Sequence, residues 1–400
     1  MLAFLQTAAI YVAPFLAVIT LIVTIHELGH FLVARACGVA VDRFSIGFGR
    51  AIASVKDRWG VEWRIGWLPL GGYVRFAGDD NAASVPDEED LDAMRRRIAL
   101  KEGASAVKRY FHFKPLWQRA LIVFAGPATN FLLAIALFAI LFTAMGEPVT
   151  SMRITDVVPG SPAASAGVRA GDVVLGADGR RLSSFDDLAA YVRDRPGQPM
   201  SLSVERAGHD LVIPITPEAK LENNPAGGQI KVGLLGVASQ ATMRRDGPVR
   251  ALVRGTETTW DIVAKTGYYV GRMVEGKSGW PFAGFIGTAH IAGALTTQAV
   301  SVSHIDHVNL FLALAVQYVT LSAFLSVSVG LVNLLPIPIL DGGHLLFYAY
   351  EAVARRPLAL SVQAAGYRVG LALLVGLMLF TTWHDLRQMQ VFHVLGALFS

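Results

Sequence analysis

The chain has one cysteine, Cys37, which excludes an intrachain disulfide, a Cys-based zinc site and a CxxC redox pair. Placed just beyond the first long apolar run, it reads as a small packing residue. Charge is scarce too: Asp, Glu, Lys and Arg make up 16% of the 400 residues against 53% hydrophobic, and mean hydropathy is +0.46. A soluble protein of ordinary composition carries more charge, so several membrane spans are expected. The net charge of +4 is small and the basic residues are not interleaved with aromatics, which argues against a nucleic-acid partner. No Lys or Arg precedes Arg35, so the first apolar run lacks the basic flank of a cleaved signal peptide and is expected to stay as a span from about Leu5 to Val33.

Near the end of that run stands HELGH, residues 26–30. On a helix His26 and His30 are four residues apart and share a face, where two imidazoles can hold one zinc with Glu27 beside the vacant position. A chance match to so short a pattern is the alternative, but ionisable groups in one turn of a membrane helix are costly and need a reason.

Downstream, Arg35, Arg43, Arg50, Lys56, Arg58 and Arg64 mark the following side as cytoplasmic, which puts the N-terminus outside. From Arg43 to Phe76 the period is two, with Val61, Trp63, Ile65 and Trp67 alternating with Glu62, Arg64 and Gly66 before LPLGGYVRF. This predicts strands joined by tight turns near the lipid boundary, with an edge able to pair with an extended peptide; a surface hairpin with no part in substrate handling is the alternative. A charged loop with a short helix around Leu91 to Lys101 leads to a second span, about Ala120 to Met145. Gly126 and Pro127 within it imply close packing, and Asn130 must find a partner: either a helix-to-helix hydrogen bond or a role in orienting substrate or a metal ligand.

Residues 147–217 turn soluble. Pro162 starts a short helix and Gly167 ends it, Asp178-Gly179 is a hairpin turn, Ser184 caps the helix FDDLAAYVRD, and two strands follow. Residues 218–247 read as a linker. An amphipathic helix follows, with Val249, Leu252, Val253, Trp260, Val263, Tyr269, Val270 and Met273 at helical spacing, and then a glycine-rich stretch at 282–294. A third span, about Val308 to Leu335, ends in NLLPIPILDGGH, where Pro336 and Pro338 break the helix and put Asp341 on irregular backbone at membrane depth. A fourth span covers about Val362 to Thr382. Spans one and three end on the same side, so His26, His30 and Asp341 can meet, and Asp341 is the one carboxylate in the last break available as a third ligand. His344 reads as an ordinary buried histidine or a partner of the ligands.

HELGH, RFSIGFG at 43–49, LPLGGYV at 68–74, AGPATNF at 125–131 and NLLPIPILDGGHLLF at 333–347 together resemble the bacterial site-2 proteases, the regulator-of-sigma-E type of intramembrane zinc metalloprotease of peptidase family M50. The segment at 147–217 resembles a permuted PDZ domain. The resemblance implies Zn2+ on His26, His30 and Asp341, with Glu27 as the catalytic base. It assigns substrate handling to Asn333 and to the strands at 61–76, hence to Trp63, Ile65, Gly71, Gly72 and Tyr73, with Asn130 in support. The implied fold is a polytopic α-helical membrane protein of about four spans, with a membrane-associated β-sheet and an inserted extracytoplasmic α+β PDZ domain.

The expected division is 1–76 (first span and β region), 77–118 (cytoplasmic loop), 119–146 (second span), 147–217 (PDZ domain), 218–307 (linker and amphipathic helix), 308–345 (third span) and 346–400 (loop, fourth span and tail). The expected setting is the bacterial inner membrane, with both termini and the PDZ domain periplasmic and the site toward the cytoplasm. Expected partners are single-span membrane proteins, the lipid bilayer and peptide ends at the PDZ domain. The sequence departs from the family in having one PDZ unit, Phe285 after Gly284 where Pro is usual, and Ser328 where a second Asn is usual. Two other classes remain for comparison: an idle PDZ adaptor, which has no need of Glu27, and a metal transporter, which needs a second charged cluster that is missing.

Overall fold

A computed structural model of the protein describes residues 2–78, 88–182, 184–223, 229–245, 247–275, 284–305, 309–356 and 358–388. The chain divides into two units: residues 1–141, 252–264 and 282–400 form the first, and 142–251 with 265–281 the second.

The first unit starts with α1, Leu2–Ala36, followed by β1, Val41–Lys56, and β2, Glu62–Phe76. Helix α2, Glu88–Glu102, and two short 3-10 turns lead to α3, Leu116–Ala144. Within α1 and α3, the stretches Tyr11–Ala36 and Leu116–Ala144 are long and apolar enough to cross a membrane. The two helices approach closely at small residues: a Cβ on Gly29 would lie 2.5 Å from the Ala125 carbonyl oxygen.

Both long strands bend back on themselves. Residues 43–46 pair with 62–65 on one side and 72–75 on the other, while 62–65 pair also with 53–56. The stretch around Trp63 and Ile65 is therefore an interior lane with both edges occupied, not the free edge the alternating pattern suggested. The outer lanes are 53–56 and 72–76. Gly71, at φ +126°, makes the bend beside α1, where a Cβ would sit 3.0 Å from Val23 Cγ1. Phe31 of α1 packs with Phe44 and Trp63 at centroid separations of 5.5 and 5.2 Å, anchoring the sheet on the helix.

The second unit comprises β3, Glu147–Val157; α4, Pro162–Ser165; β4, Val173–Ala177; β5, Arg180–Arg181; α5, Phe185–Arg193; β6, Met200–Arg206; β7, His209–Ile215; β8, Glu218–Asn223; β9, Gln229–Leu234; and β10, Val237–Arg244. Its core gathers the inward positions Ile154, Val174, Leu188, Leu202 and Val204. Asp178, at φ 48°, and Gly179 make the tight turn between β4 and β5, and Ser184 caps α5 in a reciprocal box with Asp187. The segment read as a linker departs from expectation: β8 and β9 form a hairpin, and β10 adds to the sheet in the order β10-β3-β4-β6-β7. The strand that completes the sheet comes last in the chain, as a permuted PDZ arrangement requires.

On helix α6, Pro248–Val274, the amphipathic helix expected to pack on the PDZ unit or on the membrane surface, Val249, Leu252, Val253 and Trp260 are exposed, and the small residues Ala251, Gly255 and Thr259 are the covered face. Gly255 lies against α3, where a Cβ would meet the Ile135 carbonyl at 2.7 Å. The glycine-rich stretch is also more than a connector. From Phe285 to Ile305 it is a helix, α7, packed beside Tyr11 of α1 at Gly293; residues 282–283 lie outside the described residues. Next come α8, Leu310–Asn333; α9, Asp341–Ala354; and α10, Leu360–Gln388, of which Leu310–Asn333 and Ser361–Arg387 are two further candidate spans. The 346–400 tail beyond Gln388 and much of the 79–87 loop fall outside the described residues.

Candidate metal centre

One helical turn separates His26 from His30, and their Nε2 atoms stand 3.1 Å apart. The third group arrives from a residue more than 300 positions away. Asp341 opens α9 after the turn made by Pro336 and Pro338, and its Oδ2 lies 3.0 Å from His26 Nε2 and 3.5 Å from His30 Nε2. The two glycines that follow are required by this turn. A Cβ on Gly342 would be 2.3 Å from the Leu334 carbonyl, and one on Gly343 2.3 Å from the Ile337 carbonyl, because the loop folds over the first turn of α9.

Each of the three atoms can offer an electron pair to a cation. His30 Nδ1 lies 2.8 Å from the Ile122 carbonyl, a contact that takes the ring proton to Nδ1 and leaves Nε2 with its lone pair. Asp341 Oδ2 is buried and has no hydrogen-bond partner. Three acceptors this close repel one another unless a cation lies among them. Ligands on a tetrahedral zinc, at about 2.0–2.2 Å from the metal, are spaced by roughly 3.3–3.5 Å, so the observed 3.0, 3.1 and 3.5 Å need a small outward shift of the His26 ring to take the ion. Two imidazoles and one carboxylate, with no thiolate nearby, are the donor set of a catalytic zinc rather than a structural one. Helix α3 closes the other side: a Cβ on Gly126 would lie 2.3 Å from His30 Nε2 and 2.7 Å from His26 Nε2, so only glycine fits.

The family model for Peptidase family M50 matches residues 14–377. The chain belongs to peptidase family M50. Metalloprotease MmpA of Caulobacter vibrioides is 48% identical to it over 394 residues, 98% of this chain and 99% of that protein. A putative zinc metalloprotease of Agrobacterium fabrum is 37% identical over 382 residues, 94% and 95% of the two chains. Regulator of sigma-E protease RseP of Salmonella typhimurium is 29% identical over 480 aligned residues, 94% and 98%. A solved PDZ domain of the SdrC-like protein from Listeria monocytogenes covers 23% of this chain at 17% identity and a TM-score of 0.18, too low to carry an argument, so the PDZ description rests on the strand order of the second unit. This M50 protease is a zinc metalloprotease with four candidate membrane-spanning helices and an inserted PDZ-type unit.

Glu27 lies beside the three donors, half-buried, and its Oε2 accepts a hydrogen bond from the Val74 N–H at 3.1 Å. Val74 belongs to the outer lane 72–76, so the carboxylate is held by a strand as well as by its own helix. Asn130, fully buried on α3, has its amide nitrogen 3.1 Å from His26 Nδ1. Gly71, Gly72 and Tyr73 lead into that same outer lane, and Tyr73 stacks on Phe48 at 6.0 Å. Two expected site residues stand elsewhere. Trp63 is committed to the aromatic core, with its Nε1 donating to Asp57 at 3.1 Å, and Ile65 is half exposed on the interior lane. Asn333 is the half-buried last residue of α8. His344, one turn along α9 from Asp341, faces Tyr367, whose hydroxyl is 3.3 Å from His344 Nδ1.

Three contributors escaped the sequence reading: the Ile122 carbonyl, Thr129 and Ser326; the close packing expected at Gly126 is against the two histidines themselves. Thr129 Oγ1 donates to the Ile25 carbonyl at 3.2 Å, and Ser326 Oγ of α8 donates to the Asn130 carbonyl at 2.8 Å. The Gly-Pro pair in an otherwise apolar helix was the one available signal. Pro127 lacks the N–H that would bond Val123, and the adjacent Ile122 carbonyl serves His30. Ser328, in the place of the usual second Asn, only back-bonds Phe324 at 3.0 Å.

Proposed function

We propose that this M50 protease hydrolyses peptide bonds within or beside the membrane span of single-span membrane proteins, with His26, His30 and Asp341 holding zinc and Glu27 as general base. The observation that carries this reading is the convergence of two imidazole nitrogens and a carboxylate oxygen next to a strand-anchored carboxylate, in a unit built on helices fit to span a membrane. Zinc in that position supplies a water acidic enough to ionise near neutral pH and polarises the scissile carbonyl. Glu27 takes the attacking water's proton and delivers it to the leaving amine. Its bond to Val74 fixes the direction of the carboxylate, so the proton is received at one place.

A helical substrate has its carbonyls bonded and shielded, so the segment to be cut must unwind. We assign the unwound segment to the outer lane 72–76, whose Val74 N–H already points at Glu27, in the strand-addition mode. This replaces Trp63 and Ile65, which lie on a lane paired on both sides. β10 has β3 as its one strand partner among the described residues, and its second edge suits an extended peptide end. The excess of basic residues after α1 supports a site toward the cytoplasm, with the termini and PDZ-type unit on the outer side of a bacterial inner membrane. The resemblance to the site-2 proteases suggests as substrate a single-span anti-sigma factor already trimmed outside by another protease, and remnant signal peptides as a second class; the Salmonella relative is named a regulator of sigma-E protease. The idle-adaptor reading is disfavoured by the intact base.

The test is reconstitution in liposomes with a single-span protein tagged at both ends, followed by mass spectrometry of the new termini. Cuts inside or within a few residues of the span, absent with Glu27→Gln, are expected. Cuts confined to soluble segments, or equal cutting by the variant, would overturn the assignment.

A further inference from the structure

Among the described residues, Asn130 is the one side chain that touches His26 or His30 at its second ring nitrogen from another helix, and the contact is chemically unfinished. Its amide nitrogen sits 3.1 Å from His26 Nδ1, while its Oδ1, fully buried, has no hydrogen-bond partner. If His26 uses Nε2 toward the metal, a neutral ring carries its proton on Nδ1. An amide NH2 facing that N–H sets donor against donor. The two ends of an amide have the same shape, so the same side-chain position accommodates the reverse orientation. The far end lacks a protein partner either way, so the histidine end decides.

We propose that Asn130 is a positioning residue for His26, with its amide turned so that Oδ1 accepts the Nδ1–H and holds Nε2 toward Asp341 and His30. The two histidines are then treated alike. His30 Nδ1 donates to the Ile122 carbonyl and His26 Nδ1 to the Asn130 amide, so both acceptors come from α3. Outer acceptors of this kind fix the tautomer and raise the basicity of the ligand nitrogen. The backbone of Asn130 is itself held in place, since Ser326 Oγ on α8 donates to its main-chain carbonyl in a fully buried contact at 2.8 Å. The chain of contacts Ser326, Asn130, His26 links α8, α3 and α1 at the level of the site. It also gives a reason for a carboxamide at this position beyond generic helix association.

The proposal rests on the zinc-ligand reading above, and the test separates the two. The full chain is purified as wild type, Asn130→Asp and Asn130→Leu, and zinc content and the rate of zinc loss to a chelator are measured alongside thermal unfolding. A carboxylate can accept from Nδ1–H but cannot donate, so Asn130→Asp should keep zinc within a few-fold of wild type, and Asn130→Leu should weaken it about 10–100-fold. If Leu prevents folding, Asn130→Ala takes its place. Asp as weak as Leu means the amide donates, and the proposed orientation is wrong. Leu as tight as wild type removes Asn130 from the site altogether. A wild-type chain that binds no zinc overturns the ligand reading and this inference with it.

Discussion

Replacing Gly126 by Ala adds one methyl group where the structure has no room for it. The new carbon would stand 2.3 Å from His30 Nε2 and 2.7 Å from His26 Nε2, whereas carbon and nitrogen in contact settle at roughly 3.5 Å. Either the rings retreat or α3 withdraws from α1, by about 1 Å in both cases. Withdrawal is opposed at Gly29, already close to the Ala125 carbonyl, and by the Thr129 bond to Ile25. Metal ligands tolerate about 0.2 Å of displacement, and 1 Å of misplacement costs on the order of 100-fold in rate. Gly126→Ala should therefore lower both zinc occupancy and cleavage by about 100-fold with its helices intact by circular dichroism. Gly376→Ala on α10, where a Cβ meets nothing within 4 Å, is the control and should behave as wild type. A Gly126→Ala protein with full zinc and full activity would refute the claim that α3 forms the wall of the site.

Ile65→Pro deletes a ladder donor from a lane paired with both Ile46 and Ala53, so hydrogen exchange across 41–76 should accelerate and cleavage should fall; unchanged protection and rate would contradict the four-lane pairing. In the PDZ-type unit the Arg206 guanidinium, bonded to Asp172 at 2.7 Å, together with the Arg169 N–H holds the Asp172 carboxyl below its usual value of 3.8. A carboxylate with a depressed folded pKa stabilises fully above its unfolded pKa. Hydrogen-exchange protection of 147–215 should accordingly hold above about pH 5 and decline as pH falls below 3.8. Asp172→Ala, which removes the two-toothed partner of Arg206 while leaving that guanidinium in reach of water, should destabilise the unit and remove part of that acid sensitivity; an unaltered pH profile would assign it to other carboxylates.

The metal centre was largely legible because its parts are local patterns with a chemical reason. HELGH fixes two imidazoles on one face, and the Pro-broken LDGG segment offers one carboxylate at matching depth. What escaped depends on contacts between distant segments. The pairing of 62–65 on both sides follows from how the long strands reverse, and period two shows only that a residue is in a strand, not how many neighbours it has. β10 joins β3 across about 80 intervening residues, and by itself it looks like a polar connector. Helix α7 is rich in Thr and Ser, which lowers its apparent fitness for the membrane, yet Thr288, Thr296, Thr297 and Ser301 each bond a carbonyl four residues back and so present a less polar surface. On α6 the large residues drew attention while the small ones made the contact, as close packing against another helix favours. For Asn130 the residue type alone left a helix-to-helix bond and a ligand-orienting role equally open.

The central claim is that Asp341 is a metal ligand and Glu27 is not. Zinc per chain and cleavage of a single-span substrate, measured on wild type, Glu27→Gln and Asp341→Ala purified in parallel, test it most directly. About one zinc per chain is expected in wild type and in Glu27→Gln, with cleavage in the latter down by about 100-fold or more, and loss of both zinc and activity in Asp341→Ala. Full zinc in Asp341→Ala, or undiminished cleavage by Glu27→Gln, would contradict it.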